Sequence, residues 1–268
     1  MPEEKIQVKH GNPLKYALGR RLANCPYLVT LGIRPNLTDY EPWQIEAIRQ
    51  AEVIYFPTKL YAHSLFAMGK RIFPGINDYE YAGDKIKQAT LFNLLDIPFP
   101  RTKCYYGRQT DSILKDFDFP FVAKLPRASD GGRGVFLVQQ PADLAAYRRI
   151  TKVALIQEFL DIESEYRVVV IAHRIALVYR RVMARGDFRG NLFQGAQAVF
   201  ENIPSEVVSL ALEVSRKCRF DDVGLDICLA AGRYRLLEAN MLYGRAGFKL
   251  AGLDYKQLLC DLIGQGVI

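Results

Sequence analysis

The chain has 268 residues, 50% hydrophobic and 24% charged, which excludes a disordered chain and leaves room for one to three compact units. The net charge of +7 invites a nucleic-acid partner, yet the lysines and arginines are dispersed and form no basic arm. An enzyme for polyanionic small molecules would be basic as well.

Five scattered cysteines (Cys25, Cys104, Cys218, Cys228 and Cys260), with no C-x-x-C pair and three histidines, point away from zinc and toward a reducing compartment. The first residues lack the apolar core of a signal peptide. The longest apolar stretch, 168–178, is broken by His173 and Arg174 and is too short to cross a bilayer. A cytoplasmic protein without a membrane partner is expected.

In chain order, residues 1–26 read as a loosely attached leader or short helix. Residues 27–33 form a strand candidate, and Thr38-Asp39-Tyr40-Glu41 resembles a capping box opening a helix through Arg49. A strand at 53–56, a helix at 60–68 and a strand at 71–73 complete a small parallel α/β unit. A helix over 84–95 ends at Ile97-Pro98-Phe99-Pro100, a linker. Strands follow at 101–106 and 121–125 around a helix near 111–117. Next come a strand at 135–139, a helix at 142–150 and a strand at 153–158. Two long strands, 165–172 and 174–182, pair through Ala172-His173, a turn without Asn-Gly chemistry and therefore of loose register. A polar loop at 184–199, an amphipathic helix at 205–218, a hairpin and a closing helix at 254–263 finish the chain.

That hairpin carries the densest signal. Two apolar runs flank Ala231-Gly232, and folding about Gly232 sets Asp226 opposite Glu238, each six residues away. Asn240 falls on the same face, while Leu225, Ile227, Leu229, Leu237 and Ala239 fall on the other. Solvent-facing strand residues are the plain alternative, but two opposed acids repel without a cation. Two carboxylates and an amide suit Mg²⁺, which completes its shell with water and substrate phosphates.

Ser129-Asp130-Gly131-Gly132-Arg133-Gly134 connects two strands, so it is neither a Walker A loop nor a Rossmann turn, both of which lead into a helix. It suits a flap whose backbone N–H groups lie over phosphates, although alone a plain hairpin loop explains it as well. Lys124 ends the strand before it, within reach of phosphates. Gln157-Glu158-Phe159-Leu160 ends another strand and offers backbone groups to an adenine edge. Arg167, Arg180, Arg181, Arg189 and Asn191 supply donors for a transferring phosphoryl group, or else line solvated strand faces.

The order of these pieces resembles the ATP-grasp superfamily, most closely its RimK-type carboxylate–amine ligases. The likeness runs from about 84 to 261. It is carried by Asp84-Lys85, Pro120 to Lys124 with Gly131 to Val135, Gln157-Glu158-Phe159 and Tyr166-Arg167. Gly186 to Arg189 with Asn191, Val223 to Ile227, and Glu238-Ala239-Asn240 complete it. The resemblance implies an ATP-grasp fold, α/β with α+β subdomains, behind a small N-terminal parallel α/β domain. The implied boundaries are 1–26 leader, 27–83 N-terminal domain and 84–268 ATP-grasp domain, the last split into 84–160, bearing the lid, and 161–268, bearing the metals.

By the same resemblance ATP lies between the subdomains under the flap of Gly131, Gly132 and Gly134. Lys85 and Lys124 meet its phosphates, Glu158, Phe159 and Leu160 its adenine, and Glu165 its ribose. Asp226, Glu238 and Asn240 hold two Mg²⁺, with Mn²⁺ as a substitute. Arg167, Arg189 and Asn191 serve the γ-phosphoryl group as a carboxylate attacks it. The acylphosphate so formed is then attacked by an amine. The implied partners are small-molecule or peptide carboxylates and amines, not nucleic acid, with self-association left open.

The family often follows its metal Asn with small residues, whereas here Met241-Leu242-Tyr243-Gly244-Arg245 follows; Phe193-Gln194 also stands where His-Arg is common. Substrate identity therefore does not carry over, and glutamate or another amino acid is only suggested by the charge. Two other functions use the same parts: ATP as a regulatory ligand, as in synapsin-like members, and phosphorylation of a small-molecule hydroxyl.

Overall fold

The computed structural model describes residues 15–127, 134–182 and 197–268. They form two compact units: residues up to Ile76 together with Tyr255–Ile268, and Asn77–Asp254.

The first unit is a parallel sheet of β1 (Tyr16–Ala17), β2 (Val29–Thr30), β3 (Val53–Tyr55) and β4 (Arg71–Phe73), in the order β2-β1-β3-β4. Helices Pro42–Gln50 and Thr58–Ala67 connect the later strands. The expected leader is corrected here, because Tyr16–Ala17 within it is an inner strand of this sheet. Tyr16, Ala17 and Leu18 are buried, and the Leu18 and Leu31 N–H groups donate to Tyr55 O and Ala17 O at 3.1 and 2.8 Å. A two-residue strand is too short to show a period of two, so no pattern betrayed it. The capping box also moves: Glu41 caps the helix reciprocally with Gln44 and Pro42 is its first residue, whereas Thr38 lies in a 3-10 turn, Leu37–Asp39.

Helix Tyr255–Gly264 packs in this first unit, although the expected boundaries put it in the ATP-grasp domain. Cys25 and Cys260 form a disulfide, with Cα atoms 5.6 Å apart, across 235 residues of sequence. The Lys15 ammonium donates to Ile263 O at 3.1 Å and Arg21 to the Tyr255 hydroxyl at 3.1 Å. Cys104, Cys218 and Cys228 remain thiols.

The second unit holds two antiparallel sheets. One is built from β5 (Thr102–Tyr106), β6 (Phe121–Lys124), β7 (Val135–Val138) and β8 (Val153–Glu158), in the order β5-β8-β6-β7. Helix Pro141–Ile150 covers it, and Tyr105, Phe121, Ala123, Leu144, Tyr147 and Ile156 fill the core between them. The other contains β9 (Ser164–Ile171), β10 (Arg174–Val182), β11 (Gln197–Val199), β12 (Asp222–Ala230) and β13 (Arg233–Asn240), in the order β11-β10-β9-β12-β13. Strand β11 occupies the end of the expected polar loop, most of which lies outside the described residues.

One face of this five-stranded sheet is apolar: Tyr166, Val168 and Val170 of β9 with Val223, Leu225 and Ile227 of β12. Val207, Leu210, Ala211 and Val214 of helix Ser205–Cys218 cover it. Alternation sends Glu165, Arg167, Gly224 and Asp226 to the opposite face. The β9–β10 turn is held without Asn-Gly chemistry. Ala172 and His173 both take left-handed φ, 50° and 57°, while Ala172 N–H donates to Asp221 O at 2.7 Å and His173 Nδ1 lies 2.7 Å from Ser215 Oγ. Among the described residues no helix is long and apolar enough to cross a membrane.

Candidate active site

The register of the five-stranded sheet lines up one row of side chains across four strands: Tyr179, Arg167, Asp226 and Glu238 are successive cross-strand partners. Asp226 and Glu238 do face each other, but through a feature the alternation argument lacked. The turn pairs Ala230 with Arg233 and Ile227 with Leu236, and a β-bulge then inserts Leu237 before Glu238 meets Asp226. Without the extra residue Asp226 would oppose Leu237. Bulges recur beside active sites because they re-aim side chains in this way. The placement of Leu237 on the core face is therefore corrected: Leu236 is the buried core residue, and Leu237 lines a small cavity with Lys85, Lys124 and Glu238.

Asp226 is buried, and its charge is balanced at close range. Its Oδ2 accepts from Arg167 Nη2 at 3.0 Å and from Asn240 Nδ2 at 3.3 Å. Its Oδ1 lies 2.7 Å from Arg167 Nε and 3.0 Å from Arg181 Nη2, neither approach being an in-line hydrogen bond. Arg181 also pairs with Glu165, its direct cross-strand neighbour. Burial pushes the Glu165 carboxyl above its ordinary range and the neighbouring Arg181 pulls it back. Glu165 is thus committed to Arg181 on this sheet face. Arg180, one residue away, projects from the opposite face.

Glu238 is more open, with a third of its side chain exposed and Lys85 Nζ 3.5 Å from Oε1. Lys85 is the first residue of helix Lys85–Leu94, capped by Asp84, whose carboxylate accepts from Lys87 N at 3.1 Å and from Arg127 Nε at 2.9 Å. The Lys85 N–H donates to Pro126 O at 3.0 Å, tying the helix start to the segment after β6. Lys124 ends β6, fixed by the Tyr147 hydroxyl donating to its carbonyl at 2.7 Å. Burial pushes its ammonium below the ordinary value, opposed by Glu238 and aided by Lys85.

Sequence reasoning missed Gln88, whose Nε2 donates to Ala239 O at 2.8 Å and fastens β13 beside the helix. Its signal was a polar residue on the buried stripe shared with Ala89 and Phe92. Thr102 and Gln157 line the small cavity and are joined by a 2.9 Å hydrogen bond. Glu158 ends β8, where its carboxylate accepts from Arg101 N at 2.8 Å and its N–H donates to Arg101 O at 2.9 Å. Phe159 is exposed and Leu160 half-buried. Gly134 accepts from Leu125 N at 2.7 Å. Gly131, Gly132, Arg189 and Asn191 lie outside the described residues.

Two buried polar atoms test whether this site fits a metal–phosphate pair. Asp226 Oδ1 has no in-line donor, and Arg167 Nη1 has no hydrogen-bond partner. Asp226 Oδ1 is already neutralised by two guanidinium groups, whereas the buried Arg167 Nη1 is a cationic donor without a hydrogen-bond partner among the described residues, and such a donor beside the carboxylates of Asp226 and Glu238 suits a phosphate oxyanion that arrives with a cation.

Helices packed on two antiparallel sheets, with cations from one sheet and its adjoining helix facing an acidic hairpin of the other, define an ATP-grasp fold. Residues 82–263 match the RimK-like ATP-grasp domain, and the chain belongs to that family. It is 31% identical over 195 residues to a coenzyme gamma-F420-2:alpha-L-glutamate ligase of Methanococcus maripaludis, covering 68% of this chain and 66% of that protein. It is 28% identical over 182 residues to a ribosomal protein bS6–L-glutamate ligase of Salmonella paratyphi B, covering 65% and 60%. The match thus spans less than two thirds of either relative. The crystal structure of a RimK domain ATP-grasp protein from Sphaerobacter thermophilus superposes with a TM-score of 0.67 at 16% identity, covering 92% of this chain and 98% of that one.

Proposed function

We propose that the protein is an ATP-dependent carboxylate–amine ligase. The observation that carries this is the row Arg167–Asp226–Glu238, flanked by Asn240, Lys85 and Lys124. Lys85 and Lys124 bind the phosphates. Asp226, Glu238 and Asn240 present oxygens to Mg²⁺, which when bound supplies positive charge between two anions that must approach each other. Arg167 donates to the phosphoryl group in flight, joined by Arg189 and Asn191 as the family resemblance implies.

A substrate carboxylate oxygen attacks the γ-phosphorus and ADP departs, leaving an acylphosphate. An amine nitrogen then attacks the acyl carbon, a C–N bond forms, phosphate leaves, and the nitrogen gives up a proton. The glutamate ligases among the relatives, together with the net charge of +7, favour an acidic amino acid such as glutamate joined to a peptide or small acceptor. The test is phosphate release from ATP and Mg²⁺ across a panel of amino acids and dipeptides, with products identified by mass. Amine-dependent ADP release with an amide product is expected. A phosphorylated product without amide, or tight ATP binding without turnover, overturns the ligase reading.

A further inference from the structure

Asp226 is gripped by two arginines whose surroundings differ. Arg181 has an anion of its own, Glu165, and is closed in, with only 8% of its side chain exposed. Among the described residues Arg167 directs its polar contacts to Asp226 alone, and its buried Nη1, like Arg181 Nε, has no hydrogen-bond partner there. Space for that nitrogen is reserved by Gly224, where a Cβ would lie 2.6 Å from Nη1 and 2.9 Å from the Tyr243 Cβ.

The charges make the asymmetry informative. Glu165 and Asp226 are balanced by Arg181 and Arg167, so a divalent cation arriving alone at Asp226 meets a guanidinium already in its place. An anion arriving with the cation gives the unused face of Arg167 somewhere to turn.

We propose that Arg167 stands in for a divalent cation on Asp226 while no nucleotide is bound, and re-pairs with a phosphate when the nucleotide brings one. Arg181, held by Glu165, keeps the carboxylate in place throughout. This rests on the ligase reading only for what arrives; the contacts it starts from are those of the protein alone.

Titration of the full chain with Mn²⁺ alone, without nucleotide, followed by calorimetry and by the electron spin resonance of free Mn²⁺, tests it. Arg167→Met removes a like charge from the site and should bind Mn²⁺ roughly tenfold tighter than wild type. Arg167→Lys, which keeps a cation there, should stay within about threefold of wild type. In the presence of a non-hydrolysable ATP analogue the sign should reverse, Arg167→Met binding the metal–nucleotide complex roughly tenfold more weakly. If Arg167→Met fails to fold, Arg167→Gln carries the same expectations. Unchanged or weaker Mn²⁺ binding by the neutral variant overturns the proposal, and so does tighter binding that persists with the nucleotide analogue, since a merely structural arginine repels the cation in both states. Failure of wild type to form an amide would sink the ligase reading and leave this result untouched.

Discussion

Glu238 is the most open acid of the shared face, while Asp226 beside it is buried between two guanidinium groups. Glu238→Gln keeps shape and one acceptor but loses the charge. Turnover should fall at least about a hundredfold while the melting temperature stays within about 2 °C, as for a partly exposed substitution; near-wild-type phosphate release would refute the assignment. Asp84 tests the electrostatics of the helix that carries Lys85. Burial works to raise its carboxyl, but the Lys87 N–H and the Arg127 guanidinium outweigh that and hold it below the ordinary value. An acid with a depressed folded-state pKa adds stability above its unfolded value, and that stability is lost as pH falls. Asp84→Asn retains the cap and loses the charge, so it should cost about 1 kcal/mol or less at pH 7. The gap to wild type should close below about pH 4 in paired thermal melts. At this scale the facing of Asp226 and Glu238 was legible from the hairpin, although a bulge and not strict alternation brings it about. The pairing of Arg181 with Glu165 was not, because it depends on the β9–β10 register, which no turn residue announced.

The hairpin of β12 and β13 shows how a correct expectation can rest on the wrong geometry. Symmetry about Gly232 pairs Asp226 with Glu238, but the observed turn begins one residue earlier and would misalign them by one position. The bulge at Leu237 restores the match and turns that leucine toward the cavity shared with Lys85 and Lys124. Leu237→Ala should therefore raise the KM for ATP about fivefold or more. Its stability cost should fall below the roughly 2–5 kcal/mol of a core leucine truncation, for which Leu236→Ala is the control. Equal destabilisation by the two, with ATP affinity unchanged, would place Leu237 in the core after all. Long elements such as helix Ser205–Cys218 and β10 were read to the residue, since several turns or alternations repeat the signal. Helix Ala246–Leu250 and the strands β1 and β11 were missed, being too short to repeat anything.

For the molecule as a whole, the first unit is discontinuous in sequence, closed by helix Tyr255–Gly264 and the Cys25–Cys260 disulfide. Closing so long a loop removes much freedom from the unfolded chain, about 2–5 kcal/mol by the chain-entropy argument. Cys25→Ser should lower the melting temperature of the oxidised protein by several degrees and leave the reduced protein's nearly unchanged. Identical melts of wild type and variant under oxidising conditions would show that the sulfurs do not bond in solution.

The same discontinuity imposes a schedule on biosynthesis. A ribosome finishes Asn77–Asp254 before it has delivered the helix that completes the part it began with. The unit that carries Asp226 and Glu238 can mature on the nascent polypeptide while the other waits for helix Tyr255–Gly264.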